Sequence, residues 1–118
     1  MAIKVVYVAA PYRGKDFFEV SANINRAHEL AAKVWRLGAF AFCPNANTAL
    51  FDFACPDVPD KVWLEGGLEM VRRSDALIVL EGRVSSGMLA EIDEAIKINI
   101  PVFYDLEQLK WWLENGQP

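Results

Sequence analysis

The run ALIVL at residues 76–80 decides the fold class of this chain. A short run of consecutive apolar residues matches a strand buried on both faces, whereas a core helix needs a longer pattern. Similar β-rich runs occupy residues 3–10, 39–43 and 101–104, and helical spacing of apolar residues fills residues 19–37, 60–73, 87–98 and 106–113. Because parallel strands need crossover connections, this alternation predicts an α/β fold: a doubly wound parallel sheet in a single domain over residues 1–118.

Glycine and proline mark the predicted ends of these elements. Gly38 follows the first long helix, where a C-cap belongs. The segment 44–59 carries three prolines and is expected to be irregular, and long loops of this kind are often functional. Asp60 is expected to cap the next helix, whose continuity is weakened by Gly66 and Gly67.

Charge and composition argue against several classes of partner. The net charge of the chain is -4, so neither a nucleic-acid polymer nor an anionic membrane is expected as a partner. No apolar run reaches the ~18 residues of a membrane span, and the chain starts as a strand rather than a signal peptide, which favours the cytoplasm. Cys43 and Cys55 lack Cys-x-x-Cys spacing. We therefore expect buried or inert thiols, no metal site and no organic cofactor.

The ligand site is expected at the carboxyl ends of the strands, where the strand order of a doubly wound sheet reverses. Three segments reach that edge, at residues 10–14, 44–47 and 81–87. The first contains Arg13 and Gly14. The second contains Asn45 and Asn47, which are either hydrogen-bonding partners of a ligand or ordinary turn residues, and the pattern leaves both interpretations open.

The stretch VSSGMLAE at residues 84–91 places an acid among apolar residues near the start of a helix. At about 100° per residue, Glu91 falls at the margin of the buried face. It is either an acid stabilised by the helix dipole, or a partly desolvated carboxylate that acts as nucleophile or base. Ser85, Ser86 and Gly87 offer hydroxyl and backbone N–H groups to an anion such as phosphate, and Ser86 also fits the role of N-cap.

Four stretches together carry a family resemblance. They are YVAAPYRG at residues 7–14, RSDALIV at 73–79, the spaced residues Ser85, Gly87 and Glu91, and IPV at 100–102. In this order, over residues 5–104, the chain resembles the nucleoside 2-deoxyribosyltransferase-like superfamily. Within it, the chain is similar to the 2'-deoxynucleoside 5'-phosphate N-hydrolase branch and to short bacterial and phage proteins of unassigned function.

The resemblance implies a flavodoxin-like or Rossmann-like fold and cleavage of the N-glycosidic bond of a 2'-deoxynucleoside. Glu91 would be the nucleophile that attacks the anomeric carbon, and Tyr7 would lie near the sugar or the acid. Ser85 matches a serine of the monophosphate hydrolases, at a position where transferases tend to have an acid. Arg13 matches an arginine of the same hydrolase branch. The resemblance also implies a homo-oligomer, either a dimer or a larger assembly.

Two positions depart from the family pattern. The family often places an aspartate, which assists protonation of the departing base, eight residues before the position of Asp75, and this chain has Gly67 there. Ala10 replaces a glycine that is common in the first loop, so less room is expected for a sugar. Gly67 puts activation of the leaving group in question.

Several other residues carry weaker indications. His28 is expected on the surface or in helix packing, and Asp75 at the start of a strand. Trp63 either stacks on a base or packs in the core. Trp111 and Trp112 cannot face the same core from one helix, so one of them is a candidate for a subunit interface.

The leading hypothesis is hydrolysis of 2'-deoxynucleoside 5'-monophosphates through Glu91, with Ser85, Ser86, Gly87 and Arg13 around the phosphate. The partner is then a small-molecule nucleotide or nucleoside. Transfer of the deoxyribosyl group between bases is the alternative enzyme, and a nucleotide-binding module without catalysis is the rival that Gly67 favours. In a third hypothesis the chain is a structural phage protein or an accessory protein, and Glu91 serves only helix-end electrostatics.

Overall fold

Strands and helices alternate along the chain in the order that the apolar runs predict. The computed structural model describes residues 2–116. The strands are β1 (Val5–Ala9), β2 (Phe40–Phe42), β3 (Ala76–Val79) and β4 (Val102–Phe103). The helices are α1 (Phe17–Arg36), α2 (Pro44–Asn47), α3 (Phe51–Ala54), α4 (Asp60–Arg72), α5 (Ser86–Lys97) and α6 (Leu106–Asn115).

The strands form one parallel sheet in the order β2-β1-β3-β4. Tyr7 of the inner strand β1 lies opposite Phe42 of β2 and Leu77 of β3. β2 lies on one side of β1, and β3 and β4 lie on the other side. The strand order therefore reverses between β1 and β3. Such a reversal leaves a crevice at the carboxyl ends of the two strands.

Side chains of β1 alternate between two apolar cores. Val6 and Val8 pack in a core formed with α1 and α6. Tyr7 and Ala9 face the opposite side of the sheet and pack in a second core with α4 and α5. Helices therefore cover both faces of the sheet, and the prediction of a doubly wound α/β fold is confirmed.

Side chains cap the first turns of α1 and α5. Asp16 Oδ1 accepts a hydrogen bond from the backbone N–H of Glu19 at 2.9 Å, and Ser85 Oγ accepts one from that of Met88 at 3.2 Å. Ser85 has extended backbone angles (φ -81, ψ 167), and Ser86 is the first helical residue. The expectation that Ser86 is the N-cap is therefore wrong by one residue, because a cap must still have a non-helical backbone.

The segment that precedes α4 is more ordered than the sequence predicts. Residues 44–59 were expected to be irregular but contain the one-turn helices α2 and α3. Pro44 starts α2, a position where the missing N–H of proline loses no helical hydrogen bond. The N-cap of α4 is Pro59, so Asp60 lies in the first turn and does not cap the helix. Gly66 and Gly67 do not interrupt α4.

Asp75 connects the starts of the two central strands. Its Oδ2 accepts a hydrogen bond from the backbone N–H of Val5 at 2.8 Å. Its own backbone N–H donates to the Val5 carbonyl oxygen at 2.8 Å. The prediction that Asp75 belongs to the start of a strand is confirmed, and its side chain completes the pairing of β1 with β3.

Burial differs among the other residues singled out in the sequence. Trp112 of α6 is buried whereas Trp111 is 64% exposed, which confirms that the two do not share one core. His28 is exposed on α1. Cys43 is buried and Cys55 is half-buried, both as free thiols. Within residues 2–116, no helix combines the length and the apolar character needed to cross a membrane.

Asp75→Ala should lower the free energy of unfolding by about 1–2 kcal/mol, because the N–H of Val5 loses its acceptor. Asp93→Ala is the matched control, since Asp93 is exposed on α5 and its loss should change stability by less than about 0.5 kcal/mol. Urea unfolding of both variants at neutral pH measures the difference. Equal stability of the two variants would contradict the role given to Asp75.

Candidate active site

A cavity of about 1140 Å³ opens at the carboxyl edge of the sheet, where the strand order reverses. Its wall comes from the segments after β1 and β2, from α3 and α4, and from the start of α5. The charged side chains on the wall are Arg13, Asp52, Asp60, Lys61, Arg83 and Glu91. All the predicted site residues except Gly14 line this cavity, so the fold brings nearly the whole set together.

A hydrogen-bonded pair of ionisable side chains lies at the buried end of the cavity. Tyr7 on β1 has no exposed surface, and its hydroxyl donates to Oε2 of Glu91 on α5. Glu91 is half-buried, and the nearby residues Met88 and Ile92 of α5 are buried in the core. Its expected position at the margin of the buried helix face is therefore confirmed, and the helix directs its carboxylate toward Tyr7.

Burial changes the proton equilibria of both partners. The pKa of Glu91 is raised from 4.5 to about 7, because the effect of burial exceeds the opposite effect of the hydrogen bond from Tyr7. The pKa of Tyr7 is raised far above its ordinary value, first by burial and then by the nearby Glu91 carboxylate. Tyr7 therefore remains a hydrogen-bond donor at physiological pH, while Glu91 exchanges its proton near neutrality.

The second carboxylate oxygen of Glu91 faces the cavity. Within residues 2–116 the only hydrogen bond of this carboxylate is the one that Tyr7 donates to Oε2. No fully buried side-chain nitrogen or oxygen in the same residues lacks a partner. Oε1 is therefore not fully buried, and it opens to the cavity that Glu91 lines. Such a carboxylate can attack an electrophile or transfer a proton.

Gly67 of α4 leaves an open space next to this pair. A Cβ at residue 67 would lie 3.1 Å from the Tyr7 hydroxyl oxygen and 3.4 Å from Oε2 of Glu91. A Cβ at the neighbouring Gly66 would meet no atom within 4 Å. Residue 67 thus faces the Tyr7–Glu91 pair, and in this chain it contributes no side chain there.

Two contacts join the segment after β1 to α3 and α4 across the mouth of the cavity. Arg13 forms an ion pair with Asp60, and their side chains are 65% and 79% exposed. The Tyr12 hydroxyl donates to Oδ1 of Asp52 at 3.1 Å and accepts a hydrogen bond from the backbone N–H of Leu50 at 2.8 Å. Arg13, the residue expected to contact a phosphate, is therefore already paired with an acid.

The loop that carries Arg13 is held in place by α1. The buried Asn23 donates through Nδ2 to the carbonyl oxygens of Tyr12 at 3.0 Å and Arg13 at 3.3 Å. Gly14 packs closely on the same helix, since a Cβ there would lie 2.6 Å from the Cβ of Glu19. Gly14 lies outside the cavity wall because the loop turns toward α1 at this point, so the structure does not bring it to the other predicted residues.

The N-terminus of α5 meets the cavity near Glu91. The Ser85 oxygen accepts the capping hydrogen bond from Met88, and the hydroxyl proton of Ser85 can still be donated to a ligand. Ser86 and Gly87 follow in the first turn, where backbone N–H groups have no partner within the helix. All three predicted residues line the cavity and offer donors to an anion.

The residues after β2 differ in what they can contact. Asn45 is buried and donates through Nδ2 to the Pro11 carbonyl oxygen at 2.9 Å, so it joins two loops. Asn47 is exposed on the cavity wall and is the better placed of the two asparagines to contact a ligand. Trp63 is half-buried on the wall, with its ring centroid 6.4 Å from that of Phe51.

Asp52, Lys61 and Arg83 line the cavity but were not identified from the sequence. Arg83 lies in the segment 81–87 that was expected at this edge, and its Nη2 donates to the Arg13 carbonyl oxygen at 3.2 Å. Asp52 and Lys61 reach the site because α3 and the start of α4 fold over the sheet edge. No local pattern of apolar residues indicates that arrangement.

The chain is a doubly wound α/β protein with a carboxylate–phenol pair at the point where the strand order reverses. Residues 4–105 match the family described as a domain of unknown function, DUF7768, and the chain belongs to that family. The match spans all the strands and every residue that lines the cavity. No curated protein matches the chain at a significant level. Among residues 2–116 there is no cluster of three or more His, Cys, Asp or Glu side chains that could hold a metal ion.

Glu91→Gln should flatten the dependence of stability on pH. Since the pKa of Glu91 is 4.5 in its ordinary state and about 7 in the folded chain, the folded state keeps a proton that the unfolded state releases between these values. The free energy of unfolding of the native chain should fall by roughly 3 kcal/mol as the pH rises through this window, relative to the variant.

Urea unfolding of the native chain and the variant from about pH 4 to about pH 8 measures this difference. Glu65→Gln is the matched control, because Glu65 is exposed on the same side of the sheet, on α4. Its profile should follow that of the native chain. Parallel profiles for the native chain and Glu91→Gln would contradict a buried, titrating carboxyl group at residue 91.

Proposed function

We propose that the chain is an N-glycosidase that cleaves the base–sugar bond of 2'-deoxynucleoside 5'-monophosphates, with Glu91 as the nucleophile. The Tyr7–Glu91 pair carries the proposal, because it offers a desolvated carboxylate that is held at one oxygen and free at the other. The resemblance to the nucleoside 2-deoxyribosyltransferase-like superfamily supports it. The proposal includes a homo-oligomer, for which the exposed Trp111 of α6 is a candidate contact.

The reaction consists of two displacements at the anomeric carbon C1'. First, Oε1 of Glu91 attacks C1', a C–O ester bond forms, and the C1'–N bond breaks with its electron pair leaving on the base. Water then attacks C1', the ester C–O bond breaks with its electron pair returning to the Glu91 carboxylate, and the proton that the water loses balances the one taken up by the departed base. Burial raises the pKa of Tyr7, so its hydroxyl stays protonated and holds Oε2 during both steps.

The phosphate is placed between the start of α5 and the loop after β1. Ser85, Ser86 and Gly87 supply hydroxyl and N–H donors, and Arg13 supplies a guanidinium. In this arrangement the phosphate competes with Asp60 for Arg13, since these two side chains form an ion pair. Exposed ion pairs contribute little free energy, so the competition does not prevent phosphate binding.

A nucleotide-binding module without catalysis is the second candidate, and Gly67 is the observation that favours it. The same cavity would hold a nucleotide, but residue 67 places no acid next to Glu91 to protonate a departing base. Deoxyribosyl transfer remains within the enzyme proposal. It uses the same covalent intermediate and differs only in whether a second base or water attacks C1'.

Chromatographic detection of free base tests the enzyme proposal. The assay uses 2'-deoxynucleoside 5'-monophosphates and the unphosphorylated deoxynucleosides, each with and without a second base as acceptor. Release from monophosphates without an acceptor supports hydrolysis, and release that requires the acceptor indicates transfer. Glu91→Gln should lower turnover by at least about 1000-fold while nucleotide affinity stays within about tenfold.

The pH profile of the same assay adds a second criterion. A nucleophile must be ionised, and the pKa of Glu91 is about 7, so kcat/KM should rise with pH through neutrality. If no base is released from any substrate but nucleotides raise the melting temperature, the binding module is supported instead of the enzyme.

Arg13→Ala should weaken binding of a monophosphate by roughly 10- to 100-fold, the value of a charge-assisted hydrogen bond, and leave the unphosphorylated nucleoside unaffected. Asp60→Asn should strengthen monophosphate binding, because it removes the competing carboxylate. Isothermal titration with both ligands measures the effects, and Arg36→Ala at the exposed end of α1 is the matched control. Equal losses for the two ligands in Arg13→Ala would contradict a phosphate contact.

A further inference from the structure

The Tyr7–Glu91 pair lacks the second carboxyl group that retaining glycosidases ordinarily use. In those enzymes one carboxylate attacks C1' and a second carboxylic acid protonates the leaving group. Residue 67, which faces Oε2 of Glu91, is a glycine and supplies no acid. Tyr7, the other neighbour, already directs its proton to Glu91. Neither neighbour of the nucleophile therefore provides a proton for the departing base.

The other two acids on the cavity wall are engaged at the mouth. Asp52 accepts a hydrogen bond from the Tyr12 hydroxyl, and Asp60 pairs with Arg13. Within residues 2–116 neither forms a hydrogen bond with Tyr7 or Glu91. The amino group of Lys61, a further proton donor on the wall, forms none with this pair either, and residue 61 lies about 9 Å along α4 from residue 67. A reaction that uses this cavity as it stands therefore favours a leaving group that needs no proton.

We propose that the substrates are 2'-deoxynucleoside 5'-monophosphates whose base is a cationic heterocycle, such as a 7-alkylpurine. This inference rests on the glycosidase function proposed above and narrows its substrate class. When the C1'–N bond of such a nucleotide breaks, the electron pair returns to the ring and neutralises its positive charge. Water then supplies the new sugar hydroxyl, the Glu91 carboxylate is restored, and one proton is released to solvent. An uncharged base would instead leave as an anion unless it received a proton at the first step.

The aromatic part of the cavity wall, and not the part that carries Arg13, Lys61 and Arg83, suits a positively charged ring. Phe42, Phe51 and Trp63 line it, and the Phe42 ring centroid lies 5.7 Å from that of Tyr7, so aromatic surface extends to the reacting pair. Aromatic faces attract cations through the quadrupole of the ring. The ionised carboxylate of Glu91 adds attraction where the charge of the base is close to C1'.

A matched pair of nucleotides tests the inference in the native chain. Base release is measured from 7-methyl-2'-deoxyguanosine 5'-monophosphate and from 2'-deoxyguanosine 5'-monophosphate at about pH 6.5, where the methylated ring is cationic, with and without the protein. The rate ratio is the rate of base release from the methylated nucleotide divided by that from the unmethylated one. The ratio measured with the protein should stay within about tenfold of the ratio measured without it. General acid catalysis would assist the unmethylated nucleotide alone and reduce the ratio by about 10²- to 10⁴-fold.

Two adjacent glycine substitutions test the position of the missing acid. Gly67→Asp should increase release from the unmethylated nucleotide at least about tenfold relative to the methylated one, because it places a carboxyl group beside the reacting pair. Gly66→Asp adds the same charge elsewhere on the cavity wall, where a Cβ meets neither Tyr7 nor Glu91 within 4 Å, and it should leave the ratio unchanged. Thermal melting establishes that both variants fold, and the native measurement does not depend on either.

The outcomes separate this inference from the proposed function. An enzymatic ratio more than about tenfold smaller than the uncatalysed ratio would overturn the inference while the glycosidase function stands. An equal change of the ratio in the folded Gly67→Asp and Gly66→Asp variants would also overturn it. No enzymatic release from either nucleotide, or release that persists in Glu91→Gln, would overturn the proposed function together with the inference.

Discussion

The hydrogen bond between Tyr7 and Glu91 depends on the two-residue period of a strand that is covered on both faces. Val6 and Val8 face the core of α1, so Tyr7 must face α5. The phenol therefore reaches the cavity fully desolvated, and the helix presents Glu91 from beside its own buried residues. The packing of β1 between two helical layers therefore determines three properties of the Glu91 carboxyl group. These are its position, its hydrogen-bond partner and its raised pKa.

The sequence predicts the parts of this arrangement that are encoded locally. Short apolar runs and helical spacing predict all the strands and long helices, and the position of Glu91 on its helix follows from the same spacing. The choice between Ser85 and Ser86 as N-cap depends on the backbone of one residue, which a helical period does not resolve. Asp52 and Asp60 join the cavity through contacts with residues far away in the chain, and apolar periodicity carries no information on such pairs.

Gly67 lies inside α4 although glycine disfavours helical structure. Glycine inside a helix costs about 1 kcal/mol relative to alanine, and α4 carries two in succession without a break. The helix persists because one side of it packs in the core with α5 through residues such as Val71. At residue 67 the absence of a side chain gives room next to Glu91, whereas at Gly66 the same absence faces open space. The two adjacent glycines thus have different consequences for the cavity.

The contact of Asn23 with the loop after β1 supports one part of the cavity wall from the face of the sheet opposite Glu91. Asn23 belongs to α1, which packs on one face of the sheet, whereas Glu91 belongs to α5 on the other. Its hydrogen bonds to the carbonyl oxygens of Tyr12 and Arg13 set the position of that loop. Under the proposed function, a substitution in α1 that moves this loop should change the binding of phosphorylated ligands and leave the Tyr7–Glu91 pair in place. The loop at the cavity mouth and the carboxylate at its buried end are thus supported from opposite faces of the sheet, and one can change without the other.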